Sequence, residues 1–193
     1  MYTTSSSDTE RNLAVELVLE DIPGGGVVKK SDFPTAQTQM LEGALLGKDS
    51  AGIYRIFKSV KATAIAASGA TALVVPIGNN LKVGDILTNT SKTATARAIT
   101  AIAASGALYE TVTLAAALGV AIAENEILVI GAATGASGTA YLYSPVAIAL
   151  NNVDLAATNT GCGLLVRGRV RESLLPQPVD AAIKALFPLI RFV

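Results

Sequence analysis

The residues with the best claim to chemistry lie in Glu42-Gly43-Ala44-Leu45-Leu46-Gly47-Lys48-Asp49-Ser50, which carries the glycines and lysine of a phosphate-binding loop. Such a loop needs four residues between its glycines and a Ser or Thr after its lysine, where magnesium is held. Here three residues separate Gly43 from Gly47, and Asp49 puts a negative charge where a phosphate would approach. A hairpin turn is the expectation. Pro23-Gly24-Gly25-Gly26 lacks the spacing of a dinucleotide fingerprint. Ser137, in Gly135-Ala136-Ser137-Gly138, does not sit on a nucleophile elbow. Cys162, between two glycines, has no base to activate it, because the chain contains no histidine. Asp85, Glu110, Glu124 and Glu126 stand nearest the apolar runs, and a glycosidase-like pair can be drawn from them, but nothing fixes the separation that chemistry requires. Asn151, Asn152 and Asp154 come closest to a calcium loop and lack its closing Glu. The expectation is therefore no enzyme, no metal and no cofactor.

Composition points the same way. Of 193 residues, 51% are hydrophobic but only 5% aromatic, so the apolar content is mostly Ala, Val, Leu and Ile. Seventeen glycines and seven prolines suit many short strands joined by turns. Fifteen basic and fifteen acidic residues balance, which gives no electrostatic reason to expect nucleic acid. A single cysteine excludes an internal disulfide. Residues 1–10 show no basic region followed by an apolar one, and the most apolar window, residues 111–123, is too short to cross a bilayer. A soluble chain without a membrane partner is expected.

The elements that must position these residues read as strands. Residues 1–11 have too little apolar surface to offset the entropy of ordering them. In residues 13–20 the apolar Leu13, Val15, Leu17 and Leu19 share one face and Glu16 and Glu20 the other, the pattern of an amphipathic strand. The glycines after Pro23 make a flexible break, so this strand can pair with a sheet edge in its own subunit or in another chain. Residues 29–38 read as a linker or arm. A hairpin follows, residues 41–46 and 53–60. In the middle, Ile65-Ala66-Ala67-Ser68-Gly69-Ala70 recurs letter for letter as Ile102-Ala103-Ala104-Ser105-Gly106-Ala107. Each copy leads into a β-rich run and a later Ile-Leu pair, which predicts a β-module of two similar halves.

The C-terminal stretch carries the most consistent signals. Ala147-Ile148-Ala149-Leu150 ends at Asn151-Asn152, and Gly161-Cys162-Gly163 opens a second run over residues 164–170. There Val166, Gly168 and Val170 share one face and Arg167, Arg169 and Arg171 the other. Three guanidinium groups in a row either grip an acidic partner or meet acids on a neighbouring strand. Asp180 caps a predicted short helix carrying Ile183 and Leu186, Pro188 ends it, and Leu189-Ile190-Arg191-Phe192-Val193 closes as a strand.

The order from residue 146 onward resembles the C-terminal half of head decoration proteins of tailed bacteriophages and the related head fibre proteins: strand, Val-Asp-Leu-Ala-Ala-Thr turn, Val-Arg-Gly-Arg-Val strand, Leu-rich link, helix, Ile-Arg-Phe-Val strand. A weaker similarity covers residues 41–60. The resemblance implies a structural virion protein on the capsid exterior, a homotrimer whose partner is the major capsid protein. The expected fold is mainly β: a small barrel- or sandwich-like core from residues 36–60 and 144–193 with one short C-terminal helix. Residues 61–143 form an inserted β-rich module and residues 1–35 an N-terminal arm. Leu13, Val15, Leu17 and Leu19 are the expected capsid-binding face. The alternative is a carbohydrate- or cell-surface-binding β-module, against which the absence of Trp weighs.

Overall fold

A computed structural model describes residues 14–155 and 159–193. The chain is mainly β, with one short helix. Its strands fall into two large sheets and a ribbon.

The first sheet has eight strands: β1 (Val15–Asp21), β2 (Gly26–Val28), β4 (Leu45–Lys48), β5 (Tyr54–Ile56), β12 (Pro145–Ala149), β14 (Thr160–Cys162), β15 (Leu164–Val170) and β16 (Ile190–Phe192). Their spatial order is β1-β15-β12-β4-β5-β2-β14, with β16 lying parallel to the later half of β15. The second has six: β6 (Ser59–Lys61), β7 (Ala72–Pro76), β8 (Ile86–Asn89), β9 (Arg97–Ala104), β10 (Tyr109–Leu114) and β11 (Ile127–Ile130), ordered β6-β11-β8-β9-β10-β7. A ribbon of β3 (Gln39–Met40) and β13 (Val153–Asp154) is the third. The helix, α1 (Ala181–Lys184), is capped by the Asp180 carboxylate, which accepts the Ile183 N–H at 2.9 Å.

Alternation along the strands of the first sheet feeds two cores. Leu46, Ala147, Ala149 and Leu164 point to one side, where Phe33, Met40, Val153 and Leu155 cover them. Leu45, Ile148, Leu165 and Val170 point to the other, where Ile183 and Phe187 pack. A third core fills the curled six-stranded sheet, with Leu73, Val75, Leu87, Ile99, Val112 and Leu118. β11 joins them: Leu128 and Ile130 face into the six-stranded sheet, while Ile127 and Val129 enter the core beneath the eight-stranded one. That double burial is why this strand is an unbroken apolar run rather than an alternating one.

The identical hexapeptides take different structures: residues 65–70 pass through a bridge at Ala66 and a turn, whereas Ile102–Ala104 end β9. β7 lies against β10, and β8 against β11, so the later strands of the two halves pair with each other. The turn before β8 has Gly84 at φ +94° and Asp85 accepting the Lys82 N–H. The turn before β11 has Asn125 at φ +66° and Glu126 accepting the Ala123 N–H.

Several local expectations change. The run over residues 53–60 is not one strand: the chain passes from the first sheet to the second between β5 and β6, because Phe57 and Val60 are claimed by different cores. The stretch over residues 29–38 is no loose linker, since Phe33 is in the core and Lys30–Asp32 forms a 3-10 turn. The segment after Pro23 is a tight turn rather than a flexible break; Gly25, at φ +66°, lies where a Cβ would stand 2.3 Å from the Cys162 carbonyl oxygen. In the short helix Ile183 is buried and Leu186, past its end, is exposed.

Candidate functional site

β1 is the outermost strand of the eight-stranded sheet, hydrogen-bonded along one edge to β15. Glu16 fixes it there: its carboxylate meets the Arg169 Nε at 2.6 Å and the Arg171 Nε at 2.5 Å. The hydrogen bond from Arg171 holds the Glu16 carboxyl below the usual range, with Arg169 adding to it against the opposing effect of burial. The arginine row is thus exposed, as its alternation predicts, and two of its members are engaged by a cross-strand acid. Gly168 lets β1 come this close, because a Cβ there would stand 2.1 Å from the Leu17 carbonyl oxygen.

Leu13 lies outside the described residues. Val15 is half-buried, while Leu17 and Leu19 are 46% and 60% exposed. Val18, assigned by alternation to the opposite face, is exposed as well, at 47%. Leu17 and Val18 pair in consecutive register with Arg169 and Gly168, so they lie on opposite faces of the strand, both uncovered. The shift between Val15 and Leu17 takes Leu17 off the face of Val15, where alternation would place it, and onto the arginine face. The result is a short apolar edge, Leu17-Val18-Leu19, on a strand with one side unpaired in the sheet.

No protein-family model, curated protein or solved structure matches this chain. Its function must therefore be argued from its own geometry.

A second polar site lies where the two large sheets meet. Arg55 donates to both oxygens of Asp32, at 2.5 and 2.6 Å, and to Asp49 at 3.2 Å, with its guanidinium 4.4 Å from the centre of the Tyr143 ring. Asp32 raises the Arg55 pKa, so this fork stays charged. Burial would push Asp49 up, but the N–H groups of Ile53 and Ala51 and the guanidinium of Arg55 outweigh it. Beside this fork, Lys58 Nζ meets Asp85 at 2.7 Å with both side chains largely buried. Burial pulls Lys58 below the lysine value of 10.5, and Asp85 offsets part of the effect. Lys82 Nζ donates to the Ser31 carbonyl. These groups surround a cavity of about 140 Å³ and tie the 3-10 turn and β5 to the turn before β8. Each carboxylate here meets a cation and the Lys82 ammonium is held by a backbone carbonyl, so the site reads as a polar weld between the sheets. The sequence does carry its mark, a lysine inside the apolar run Ile56-Phe57-Lys58-Ser59-Val60, but not the identity of its partner.

The other candidates act structurally. Gly43, at φ +84°, lies against Ala14, Leu175 and Pro176, and Gly47 is covered by Tyr143 and Ser144, which leaves no phosphate cradle. Asp49 instead accepts the N–H groups of Ala51 and Ile53 in the hairpin turn. Glu110 accepts from Asn79, Glu126 from Asn89 and Ala123, and Asp85 from Lys58, while Glu124 lies exposed in the turn before β11, so no two of these carboxylates share a hydrogen-bond partner among the described residues. Asn152 accepts the Glu42 N–H and Asn151 the Gly163 N–H, so these side chains brace loops. Cys162 is buried, which pushes its thiol up to about 11. Among the described residues no group of three His, Cys, Asp or Glu could hold a metal ion, and no helix is long and apolar enough to cross a membrane.

Proposed function

We propose that this chain is a non-enzymatic structural virion protein that binds the outer surface of a tailed-phage capsid and stabilises it, as a homotrimer. The observation that carries the reading is β1: an edge strand anchored to its own sheet through Glu16, with Leu17, Val18 and Leu19 exposed and its other side unpaired among the described residues. An open strand edge offers backbone groups to a neighbouring sheet, and apolar side chains on it add burial to that pairing. The resemblance of residues 146–193 to head decoration proteins supplies the partner class. Binding the assembled shell and not its separated subunits would stabilise it by mass action.

The test is co-sedimentation of the purified chain with phage heads lacking it, alongside its native mass. Saturable binding by a trimer, lost in the double variant Leu17→Lys/Leu19→Lys, supports the reading. A folded monomer that never sediments with heads sinks it.

One observation favours a second reading, attachment to a cell surface or glycan. Ile77, Leu108 and Tyr109 are exposed together at one end of the β7–β10 pair, where the Ile77 N–H donates to the Leu108 carbonyl. An exposed tyrosine ring beside two aliphatic side chains is a surface on which a sugar face can stack. Retention of the wild-type chain on a glycan array, lost in Tyr109→Ala, would favour it.

A further inference from the structure

β15 and β16 lie side by side and parallel, with Arg169 in register with Arg191. Residues in register on neighbouring strands share a face. On the other side of β15, Leu17 of β1 stands opposite Arg169, and Glu20 opposite Arg167. One face of this part of the sheet therefore carries Arg167, Arg169 and Arg171 from β15 and Arg191 from β16, all exposed, while Gly168, Val170 and Ile190 are buried. Glu16 reaches the row from β1 and Glu20 stands beside it. Four guanidinium groups thus meet two carboxylates, in a chain whose net charge is zero.

The fold does not compensate this excess. Glu16 is occupied by Arg169 and Arg171, and among the described residues the side chains of Arg167 and Arg191 make no hydrogen bond or ion pair. The arginines elsewhere in the described chain are held: Arg55 by Asp32 and Asp49, Arg97 by the Ala117 carbonyl. Arg169 and Arg191 also stand on neighbouring strands, whose backbones are roughly 4.8 Å apart, and like charges so placed destabilise a sheet. An anion from outside removes that cost. The cations are all arginine, whose planar fork matches a carboxylate with two hydrogen bonds and gives up its water more readily than an ammonium. Leu17 on the β1 side of the row and Leu189 beside β16 are 46% and 58% exposed, so apolar side chains flank the charges.

We propose that this arginine face binds an acidic segment of a partner protein, one carboxylate bridging Arg169 and Arg191 and another meeting Arg167. Charge complementarity selects the acid, and the two leucines select protein: they give the apolar side chains of such a segment a place to bury, which a phosphate backbone does not use. The zero net charge also removes the long-range attraction that draws nucleic acid. Exposed ion pairs are individually weak, so affinity comes from several acting together and falls as salt rises. The face is distinct from the backbone edge of β1, and it takes an acidic segment whether or not β1 docks on a capsid.

The full chain, labelled with ¹⁵N, is titrated at low salt with a short acetylated, amidated peptide that alternates Glu with Val, and with its Gln counterpart. Saturable shifts of the Arg167, Arg169 and Arg191 side-chain Nε–H signals are expected from the Glu peptide alone. The double variant Arg167→Gln/Arg191→Gln should weaken binding roughly tenfold, the effect of losing two exposed pairs. Lys61→Gln, which removes an exposed charge on β6, should leave it unchanged. Arg191→Gln alone should not lower the melting point, because the charge it removes repels Arg169. The proposal is overturned if the Glu peptide gives no saturable shift at millimolar concentration, if the Gln peptide gives the same shifts, or if the double variant keeps them. A lower melting point in Arg191→Gln, which would make that charge part of the fold, overturns it too. So does a short single-stranded DNA that shifts these signals where the peptide does not.

Discussion

Lys58 and Asp85 are the residues at which the joint between the sheets is most exposed to test. Removing one partner strands a charge in a buried place, so Asp85→Ala should cost about 3–5 kcal/mol, read by chemical denaturation. The double variant Lys58→Met/Asp85→Leu should recover most of that loss, because the pair's desolvation disappears with its attraction. The pair also sets a pH dependence. Lys58 is pulled below 10.5 in the folded chain, so its charged form is disfavoured there, and stability should rise as pH climbs from the folded value toward 10.5. The double variant should lack that rise. Glu16 has the opposite sign: its carboxyl is held below 4.5, so the hold on β1 is present above 4.5 and is lost as pH falls through the lower folded value. Hydrogen-exchange protection factors along β1, taken against the intrinsic rates at each pH, should fall in acid, and less so in Glu16→Gln. Cys162, with its thiol pushed up to about 11, should resist alkylation at pH 8 until the chain is denatured.

Among the elements, β11 is read twice, once by each core, and has no solvent-facing position. Val129→Asp should therefore unfold or severely destabilise the chain, whereas Val→Asp at the exposed Val146 should change its melting point little. β11, β15 and the capped helix were legible in the sequence because their signals are local: a continuous apolar run, an alternation with three arginines, an aspartate three residues before a buried isoleucine. The passage from β5 to β6 was not, because an apolar run looks the same whichever core receives each side chain. The step that puts Val15 and Leu17 on different faces was hidden for a related reason: bulges depend on the partner strand, and a single strand's pattern assumes perfect register. Asp32 and Gln177 escaped notice because their partners, Arg55 and Leu45, lie far along the chain.

For the whole molecule, one ladder brings the described ends together. The Ala14 carbonyl accepts the Arg171 N–H and the Val193 N–H donates to the Val170 carbonyl, so both ends of the described chain are held at the same end of β15. Between them the chain leaves the eight-stranded sheet near Phe57 and returns near Tyr141, whose rings stand 5.6 Å apart edge to face. Shared cores make a single unfolding transition the expectation, and calorimetric and van't Hoff enthalpies that agree would show it. Mechanical tension would meet a different order. Force applied between residues 14 and 193 acts first where β1 and β16 begin to leave β15, peeling their bonds one after another instead of shearing them together. The six-stranded sheet, closed off behind the Phe57–Tyr141 contact, would carry none of that load until both strands had come away.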